Sequence, residues 1–182
     1  MRQLIISCSL SPKSRSAIAA KQLARNIAGQ GDDVEMLDLR EIELPFCDAG
    51  ACYGHPNVAK LKEAIGSAGA VTIATPIYNY GVGGATRNLI ALTGDAWTEK
   101  VVGFVCAAGG DGSFMAIMSL ANSLMLDFRS FVVPRFVYVT GRAFNEDSTE
   151  LVDADALGRV KQLAAELHRV GSALASTADN NP

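Results

Sequence analysis

The segment SLSPKSRS near the start of the chain combines residue types that bind phosphate. Ser9, Ser14 and Ser16 supply hydroxyl donors, while Lys13 and Arg15 supply positive charge. Hydrogen bonds from such donors to an anionic phosphate are strong, and a helix beginning here adds its first N–H groups. The segment has neither GxGxxG nor GxxxxGK[ST], so a single terminal phosphate fits better than a dinucleotide or a nucleoside triphosphate. The alternative is that Ser14 or Ser16 only caps the helix.

Two further segments have the residues of ligand-binding loops. In TPIYNYGVGG, Pro76 should end the preceding strand and fix the turn. Tyr78 and Tyr80 offer flat amphipathic surfaces, and the glycines let the backbone approach a planar ring closely. In AAGGDGS, the glycines Gly109 and Gly110 expose backbone N–H groups just before a helix. The alternatives are an ordinary glycine-rich turn and a flexible turn.

Alternating strands and helices place all three segments at one edge of a sheet. The predicted strands are Gln3–Cys8, Val34–Leu39, Ala68–Thr75, Lys100–Ala108 and Phe131–Tyr138. The predicted helices are Ser16–Ala28, Asn57–Ile65, Gly84–Gly94, Gly112–Phe128 and Asp153–Ala175. This order predicts an α/β fold with a doubly wound parallel sheet and helices on both faces, as one domain over residues 1–182 with a frayed tail at 176–182. Such folds bind ligands at the carboxyl ends of the strands.

The same segments match the motifs of a known family. The letters CS at 8–9 and SRS at 14–16 are similar to its opening Gly-Ser, then Ser-x-Asn or Ser-x-Ser. The letters PIYN at 76–79, GG at 83–84 and TRN at 86–88 are similar to its Pro-Glu-Tyr-Asn, Pro-Gly and Leu-Lys-Asn. The chain therefore resembles the NADPH-dependent FMN reductase family of flavodoxin-like proteins, which includes quinone, chromate and azo-dye reductases. This resemblance implies five parallel strands in the order 2-1-3-4-5.

The resemblance also implies which residues hold FMN. Those expected at the phosphate are Ser9, Ser14, Arg15 and Ser16. Those expected along the isoalloxazine ring and ribityl chain are Pro76, Ile77, Tyr78 and Asn79, with Gly109 and Gly110 at the other edge of the ring. Three positions depart from the family's motifs, because Ile77 replaces an acid, Cys8 a glycine and Arg87 a lysine.

The implied activity is that of an NAD(P)H-dependent FMN oxidoreductase. A hydride would pass from NADPH or NADH to FMN, and electrons would then reach a quinone, a flavin or another small acceptor. Because the flavin carries this chemistry, no catalytic side chain is expected. A flavodoxin-like electron carrier or an FMN-binding regulatory protein without reductase activity is the alternative. The departures at Ile77 and Cys8 leave a third interpretation open, a protein that keeps the fold without flavin.

Composition narrows the partners and the compartment. The net charge of −3 and the few aromatic residues argue against nucleic-acid binding. The apolar runs are shorter than a membrane span, and the N-terminal one is too short for a signal peptide. We therefore expect a cytoplasmic protein that binds no membrane and keeps its four cysteines reduced.

Cys47, Cys52 and His55 lie within nine residues and allow three interpretations. A structural zinc site needs four ligands, more than this segment holds, so no metal is expected. A redox-active dithiol is the second interpretation. A loop of small residues at the rim of the active site is the preferred one, and the role of the three residues stays open.

The predicted helix over residues 113–128 is apolar on nearly every side. It includes three adaptable methionines, Met115, Met118 and Met125. A helix lying on one face of a sheet should be polar on its outer side, so this one is predicted to pack against a second copy of the chain. The expected assembly is a homodimer or a tetramer. The alternative is deeper burial under residues 40–56.

Overall fold

The computed structural model describes residues 1–178, and residues 179–182 of the predicted tail lie outside the described residues. The strands are β1 (Arg2–Ser7), β2 (Asp33–Asp38), β3 (Ala70–Tyr78), β4 (Gly81–Val82), β5 (Val101–Ala107), β6 (Phe131–Val132) and β7 (Val137–Val139). The α-helices are α1 (Arg15–Gly29), α2 (Pro56–Ser67), α3 (Gly84–Thr93), α4 (Met118–Phe128) and α5 (Ala154–Ala178). Short 3-10 helices cover Ala51–Gly54, Gly94–Trp97, Asp111–Ile117 and Gly141–Ala143.

The sheet has the predicted parallel order. β2, β1, β3 and β5 lie side by side, and β6 and β7 follow each other along the outer edge of β5. The predicted order 2-1-3-4-5 is thereby confirmed, with β6 and β7 together as its fifth strand. β4 adds a short antiparallel pair at the end of β3.

Two hydrophobic cores cover the two faces of the sheet. Ile6 on β1 belongs to one core, with Phe104 and Trp97, while the adjacent Ile5 belongs to the other, with Leu163. Successive strand residues point to opposite faces, so an apolar run such as LII fills both cores. Burying each of these large side chains stabilises the fold by about 1.5–3 kcal/mol. The two cores fix the strand ends from which the loops emerge.

The structure corrects three predicted elements. β3 does not end before Pro76 but continues through it to Tyr78. Proline has no backbone N–H to donate, but β1 pairs with β3 only as far as Ala74, so no hydrogen bond between these strands is lost at Pro76. The predicted strand Phe131–Tyr138 is split into β6 and β7, and Pro134 lies in the gap. The predicted helix Gly112–Phe128 begins as a 3-10 helix and becomes α-helical only at Met118.

The helices of this fold are not membrane spans. Across the described part of the chain, none combines the length and the apolar character that crossing a membrane requires.

Candidate active site

An open cleft lies beyond the carboxyl ends of β1, β3 and β5. Its volume is about 990 Å³, at the upper end of the usual range for ligand sites. All ten residues predicted from the sequence line it: Ser9, Ser14, Arg15, Ser16, Pro76, Ile77, Tyr78, Asn79, Gly109 and Gly110. The structure thus brings the three segments together, and the identity of what they hold stays a prediction.

Ser14 caps α1 and also lines the cleft. Its Oγ accepts a hydrogen bond from the Ala17 amide at 3.1 Å, and it lies 3.1 Å from the Ser16 hydroxyl. The cap is therefore real, as the alternative interpretation holds. It also fixes the first turn of α1, whose leading N–H groups have no intrahelical partners and carry the positive end of the helix dipole. Capping and anion binding are compatible at this position.

Two cations stand beside these hydroxyls without an acidic partner. Lys13 and Arg15 are both exposed, and neither forms an ion pair with another described residue. The Arg15 guanidinium lies against Gly141, where an added Cβ would come within 3.3 Å of its atoms. The bare backbone at Gly141 therefore leaves room for Arg15 at the cleft.

The second segment forms a tight hairpin rather than a glycine turn. β3 pairs with β4 through Ile77 with Val82 and Tyr78 with Gly81, so only Asn79 and Tyr80 form the turn. Both have left-handed backbone, with φ of 50° and 60°. Two-residue hairpins of type I′ require this conformation, which tyrosine adopts at a cost of about 1–2 kcal/mol.

The hairpin presents two aromatic side chains and hides one aliphatic side chain. Tyr78 and Tyr80 are each 59% exposed, whereas Ile77 is buried although it lines the cleft. At the base of the hairpin, the hydroxyls of Thr75 and Thr86 are 2.6 Å apart and join β3 to α3. The turn is thus held firmly at its base while its aromatic rings face the solvent.

The third segment leaves open space at the other side of the cleft. A Cβ added to Gly109 or Gly110 would meet no protein atom within 4 Å. The Gly110 carbonyl accepts a hydrogen bond from the Tyr138 hydroxyl. Burial raises the pKa of Tyr138, so its phenol stays protonated and keeps this bond. Phe114 packs against the Tyr138 ring with centroids 5.5 Å apart, which positions the 3-10 helix beside the loop.

Sequence reasoning missed a fourth segment, which follows β7. Asp147 and Ser148 line the cleft with the predicted residues. Asn145 shapes this loop, because its side chain bonds the Thr149 amide at 2.8 Å and the Glu150 amide at 3.0 Å. The segment comes from a distant part of the chain, and its NEDST letters resemble any polar turn, so no local signal identifies it.

The cysteine segment lies outside this cleft. His55 Nδ1 accepts a hydrogen bond from the Asn57 amide and caps α2. Among the described residues, no group of three His, Cys, Asp or Glu side chains is placed to hold a metal ion.

Comparison with known proteins identifies the family. The model of the NADPH-dependent FMN reductase family matches residues 1–145. A relative from Geobacillus thermodenitrificans, described as an NAD(P)H-dependent FAD/FMN reductase, is 34% identical over 137 residues, which are 74% of each chain. The chain belongs to the NADPH-dependent FMN reductase family. It is accordingly an oxidoreductase whose cofactor is FMN and whose co-substrate is NAD(P)H.

Solved structures agree on the fold. FerB from Paracoccus denitrificans, a flavoenzyme NAD(P)H:acceptor oxidoreductase, has a TM-score of 0.72 at 21% identity, covering 92% of this chain and 97% of its own. An oxidoreductase from Corynebacterium diphtheriae has a TM-score of 0.74 at 18% identity, covering 93% and 96%. The doubly wound, flavodoxin-like arrangement predicted from the sequence is confirmed.

The residues of the cleft fit FMN chemically. One end offers hydroxyls, helix N–H groups and cations that lack a carboxylate partner in the described structure, which is the donor set for one phosphate dianion. The glycine side offers open space next to backbone, where a planar ring can approach closely. This agreement concerns donor chemistry and space, and it is independent of the family match.

Proposed function

We propose that FMN binds in this cleft, held by the ten residues predicted from the sequence. Ser9, Ser14, Arg15 and Ser16 would hold the phosphate. Pro76–Asn79 would hold the ring and the ribityl chain, and Gly109 with Gly110 would border the other edge of the ring. The observation that carries this proposal is the convergence of three separated segments on one cleft at the strand ends.

FMN, when bound, supplies the hydride and electron chemistry of the reaction. The chain's own residues then have three tasks: they bind the phosphate, orient the ring and leave one side of the cleft open for the second substrate. The α1 dipole and Arg15 serve the first task, and the rigid hairpin serves the second. No side chain is required as an acid or a base, so the absence of a histidine from the cleft lining is consistent with this function.

The acceptor that suits this rim is a small planar molecule such as a quinone or a flavin. Tyr78 lines the cleft and is 59% exposed, Tyr80 lies in the turn of the same hairpin, and Phe114, which follows the lining residue Ser113, is 43% exposed. Aromatic rings in this setting stack on flat, partly apolar ligands. We expect reduction of quinones to be faster than reduction of compact charged oxidants such as ferricyanide when both are compared at equal driving force.

We also propose that two copies of the chain pack through the helix over residues 113–128. Its exposed apolar side chains are Phe114, Met115, Met118, Met125 and Leu126, and Leu126 is 81% exposed. A monomer rarely leaves this many apolar side chains of one segment in water. Leu126→Asp should halve the mass measured by light scattering, whereas Val152→Asp, at an exposed apolar residue outside this segment, should leave it unchanged. A monomeric wild type at micromolar concentration would contradict the dimer.

The decisive experiment follows visible absorption during addition of FMN and then of NADPH without oxygen. We expect saturable quenching or shifting of the flavin bands, and bleaching once NADPH is added. Steady-state NADPH oxidation with a quinone should then show turnover. A protein that leaves FMN spectra unchanged would refute the cleft assignment, and one that binds FMN without turnover with any quinone or flavin would be the electron carrier.

A further inference from the structure

Cys47 and Cys52 come together in a tight loop that packs on α3. The Cys47 amide donates a hydrogen bond to Asn88 Oδ1 at 2.9 Å, and Asn88 Nδ2 donates to the Pro45 carbonyl at 2.9 Å. Asp48 Oδ1 accepts from the Gly50 amide at 2.9 Å and from the Cys52 amide at 3.2 Å. These bonds fold the chain back on itself between the two cysteines. The loop is therefore held in place by a helix of the core.

The two thiols meet at the edge of a small apolar cluster. Cys52 is buried against Val58 and Leu92, and the partly exposed Cys47 packs against the same cluster. The Cys47 sulfur lies 3.7 Å from the Tyr53 hydroxyl and 3.9 Å from the Ala91 carbonyl oxygen. One sulfur is thus open to reagents from solvent, and the other lies behind it.

The surroundings of the two thiols give them opposite acidities. Hydrogen bonds from the Ala49 amide, the Tyr53 hydroxyl and the Cys52 thiol lower the pKa of Cys47. Burial and the neighbouring Asp48 carboxylate raise the pKa of Cys52. Cys47 is therefore the better nucleophile at neutral pH, and Cys52 stays protonated until it reacts with oxidised Cys47.

The other two cysteines provide an internal contrast. Cys8 and Cys106 are fully enclosed by the core, and burial raises the pKa of each to about 12. Neither has a second thiol in a loop of its own. Of the four cysteines, only Cys47 and Cys52 therefore combine an accessible thiol with a second thiol nearby.

We propose that Cys47 and Cys52 are a redox-active pair that forms a reversible intramolecular disulfide when a hydroperoxide is present. This inference is independent of the proposed flavin site, because none of its residues lines the cleft. It selects the dithiol among the interpretations that the sequence left open. The tight loop and the shared cluster supply the proximity that a disulfide needs.

The chemistry proceeds in two balanced steps. The Cys47 thiolate attacks one oxygen of the hydroperoxide, so that an S–O bond forms, the O–O bond breaks and the departing oxide takes a proton. Cys47 is thereby oxidised to a sulfenic acid, and hydrogen peroxide is reduced to water. The Cys52 sulfur then attacks the Cys47 sulfur, forming S–S and breaking S–O, and a second water leaves with the Cys52 proton. A small dithiol reductant restores both thiols.

The test treats the reduced protein with hydrogen peroxide, blocks the remaining thiols with iodoacetamide and measures intact and peptide masses. We expect the wild type to lose two hydrogens, with residues 47 and 52 linked in one peptide and both thiols recovered by dithiothreitol. We also expect Cys47 to react about tenfold or more faster than Cys8 or Cys106. The linked peptide in Cys106→Ala at the wild-type rate would support the assignment to this pair.

Two variants separate the steps. Cys52→Ser should stop at a sulfenic acid on Cys47 that dimedone traps, and Cys47→Ser should leave Cys52 unoxidised over the same time. The peptide map of the wild-type protein alone can refute the proposal, so the test does not depend on whether either variant folds. Separate alkylation of Cys47 and Cys52 after peroxide treatment, or direct conversion of Cys47 to sulfinic acid without a linked peptide, would overturn it.

Discussion

Charged side chains at the two ends of the sheet differ in whether they have a partner of opposite charge. At the amino end, the Asp32 side chain is 2% exposed and binds the Met1 amino group at 2.8 Å, Gln3 Nε2 at 2.6 Å and His168 Nδ1 at 2.8 Å. At the carboxyl end, Lys13 and Arg15 have no carboxylate partner among the described residues. The amino end thus encloses a paired carboxylate, whereas at the carboxyl end the ion pairs Arg40–Asp38 and Arg142–Asp111 leave Lys13 and Arg15 available.

Left-handed backbone, unlike the unpaired charge, occurs at both ends of the sheet, because Glu99 and Arg129 precede β5 and β6 with φ of 57° and 55°. The hairpin at the carboxyl end holds Asn79 and Tyr80 in left-handed conformations, where a glycine would be less strained. Unpaired charge is tolerated where a ligand supplies the missing partner, and it is costly elsewhere. The comparison therefore teaches that the amino end should govern stability and the carboxyl end should govern binding.

The largest effect is expected from Asp32→Asn. Burial alone would raise the pKa of Asp32, but hydrogen bonds from the amino terminus, His168 and Gln3 outweigh it and hold the pKa below its usual value. The substitution removes the buried charge that pairs with the partly buried Met1 amino group and should lower the free energy of unfolding by about 3 kcal/mol at pH 7. Denaturation in urea measures this loss, and Asp33→Asn, at an exposed neighbour, should change stability by less than about 0.5 kcal/mol.

The pH dependence of that loss follows from the lowered pKa. A carboxyl whose pKa is lower in the folded state stabilises the fold above its unfolded pKa of about 4 and stops doing so as pH falls through the folded value. The gap between wild type and Asp32→Asn should therefore be full at pH 7 and shrink below about pH 4. FMN affinity should be the same in both proteins. A weaker affinity in a folded Asp32→Asn variant would contradict the view that the amino end governs stability alone.

The next effect separates capping from phosphate binding at Ser14. Aspartate and asparagine both cap helices as well as serine does, so Ser14→Asp and Ser14→Asn should keep the stability of α1. Aspartate adds a negative charge beside the phosphate and should weaken FMN binding by about 30-fold or more, which is about 2 kcal/mol. Fluorescence titration with FMN measures it. If both variants bind FMN equally well, Ser14 is only a cap.

A smaller effect, this time a gain in stability, is expected at the hairpin. Tyr80→Gly relieves a left-handed tyrosine in a two-residue turn and should raise the free energy of unfolding by about 0.5–1 kcal/mol. Tyr78→Gly is the matched control, since Tyr78 lies in β3 and its replacement should destabilise the strand. Urea denaturation distinguishes the two. A loss of stability in Tyr80→Gly would mean that the tyrosine side chain outweighs the strain of the turn.

The smallest effect is expected from Gly141→Ala. The added methyl group would press on the Arg15 guanidinium, a flexible side chain that can move at little cost to stability. FMN affinity should fall about threefold, or about 0.7 kcal/mol, with stability within about 0.5 kcal/mol of the wild type. Gly158→Ala, where a Cβ would meet no atom within 4 Å, should leave affinity unchanged. If both variants bind FMN equally well, Arg15 does not contribute to phosphate binding.

The sequence predicted most of the architecture because buried parallel strands and amphipathic helices leave clear periodic patterns. It also predicted that the three segments converge, since loops after parallel strands share one edge. The left-handed Asn79 and Tyr80 were not predictable, because the nearby glycines are the more usual carriers of that conformation. The split at Pro134 depends on the register with β5, and the contribution of Asp147 depends on tertiary packing. Neither of these leaves a local signal.

The split edge strand also limits how molecules of this protein can associate. An intact outer strand offers a row of free N–H and C=O groups to which a strand of another molecule can add. Between β6 and β7, Pro134 lacks an N–H, and the extra residues there bend the edge. At the opposite edge, β2 carries Asp33, Glu35 and Asp38, of which Glu35 and Asp38 form ion pairs with Arg2 and Arg40. Charged side chains on an edge strand disfavour the addition of a further strand. Both margins of the sheet therefore resist fibril-like growth, and crowding should favour contacts through helices instead.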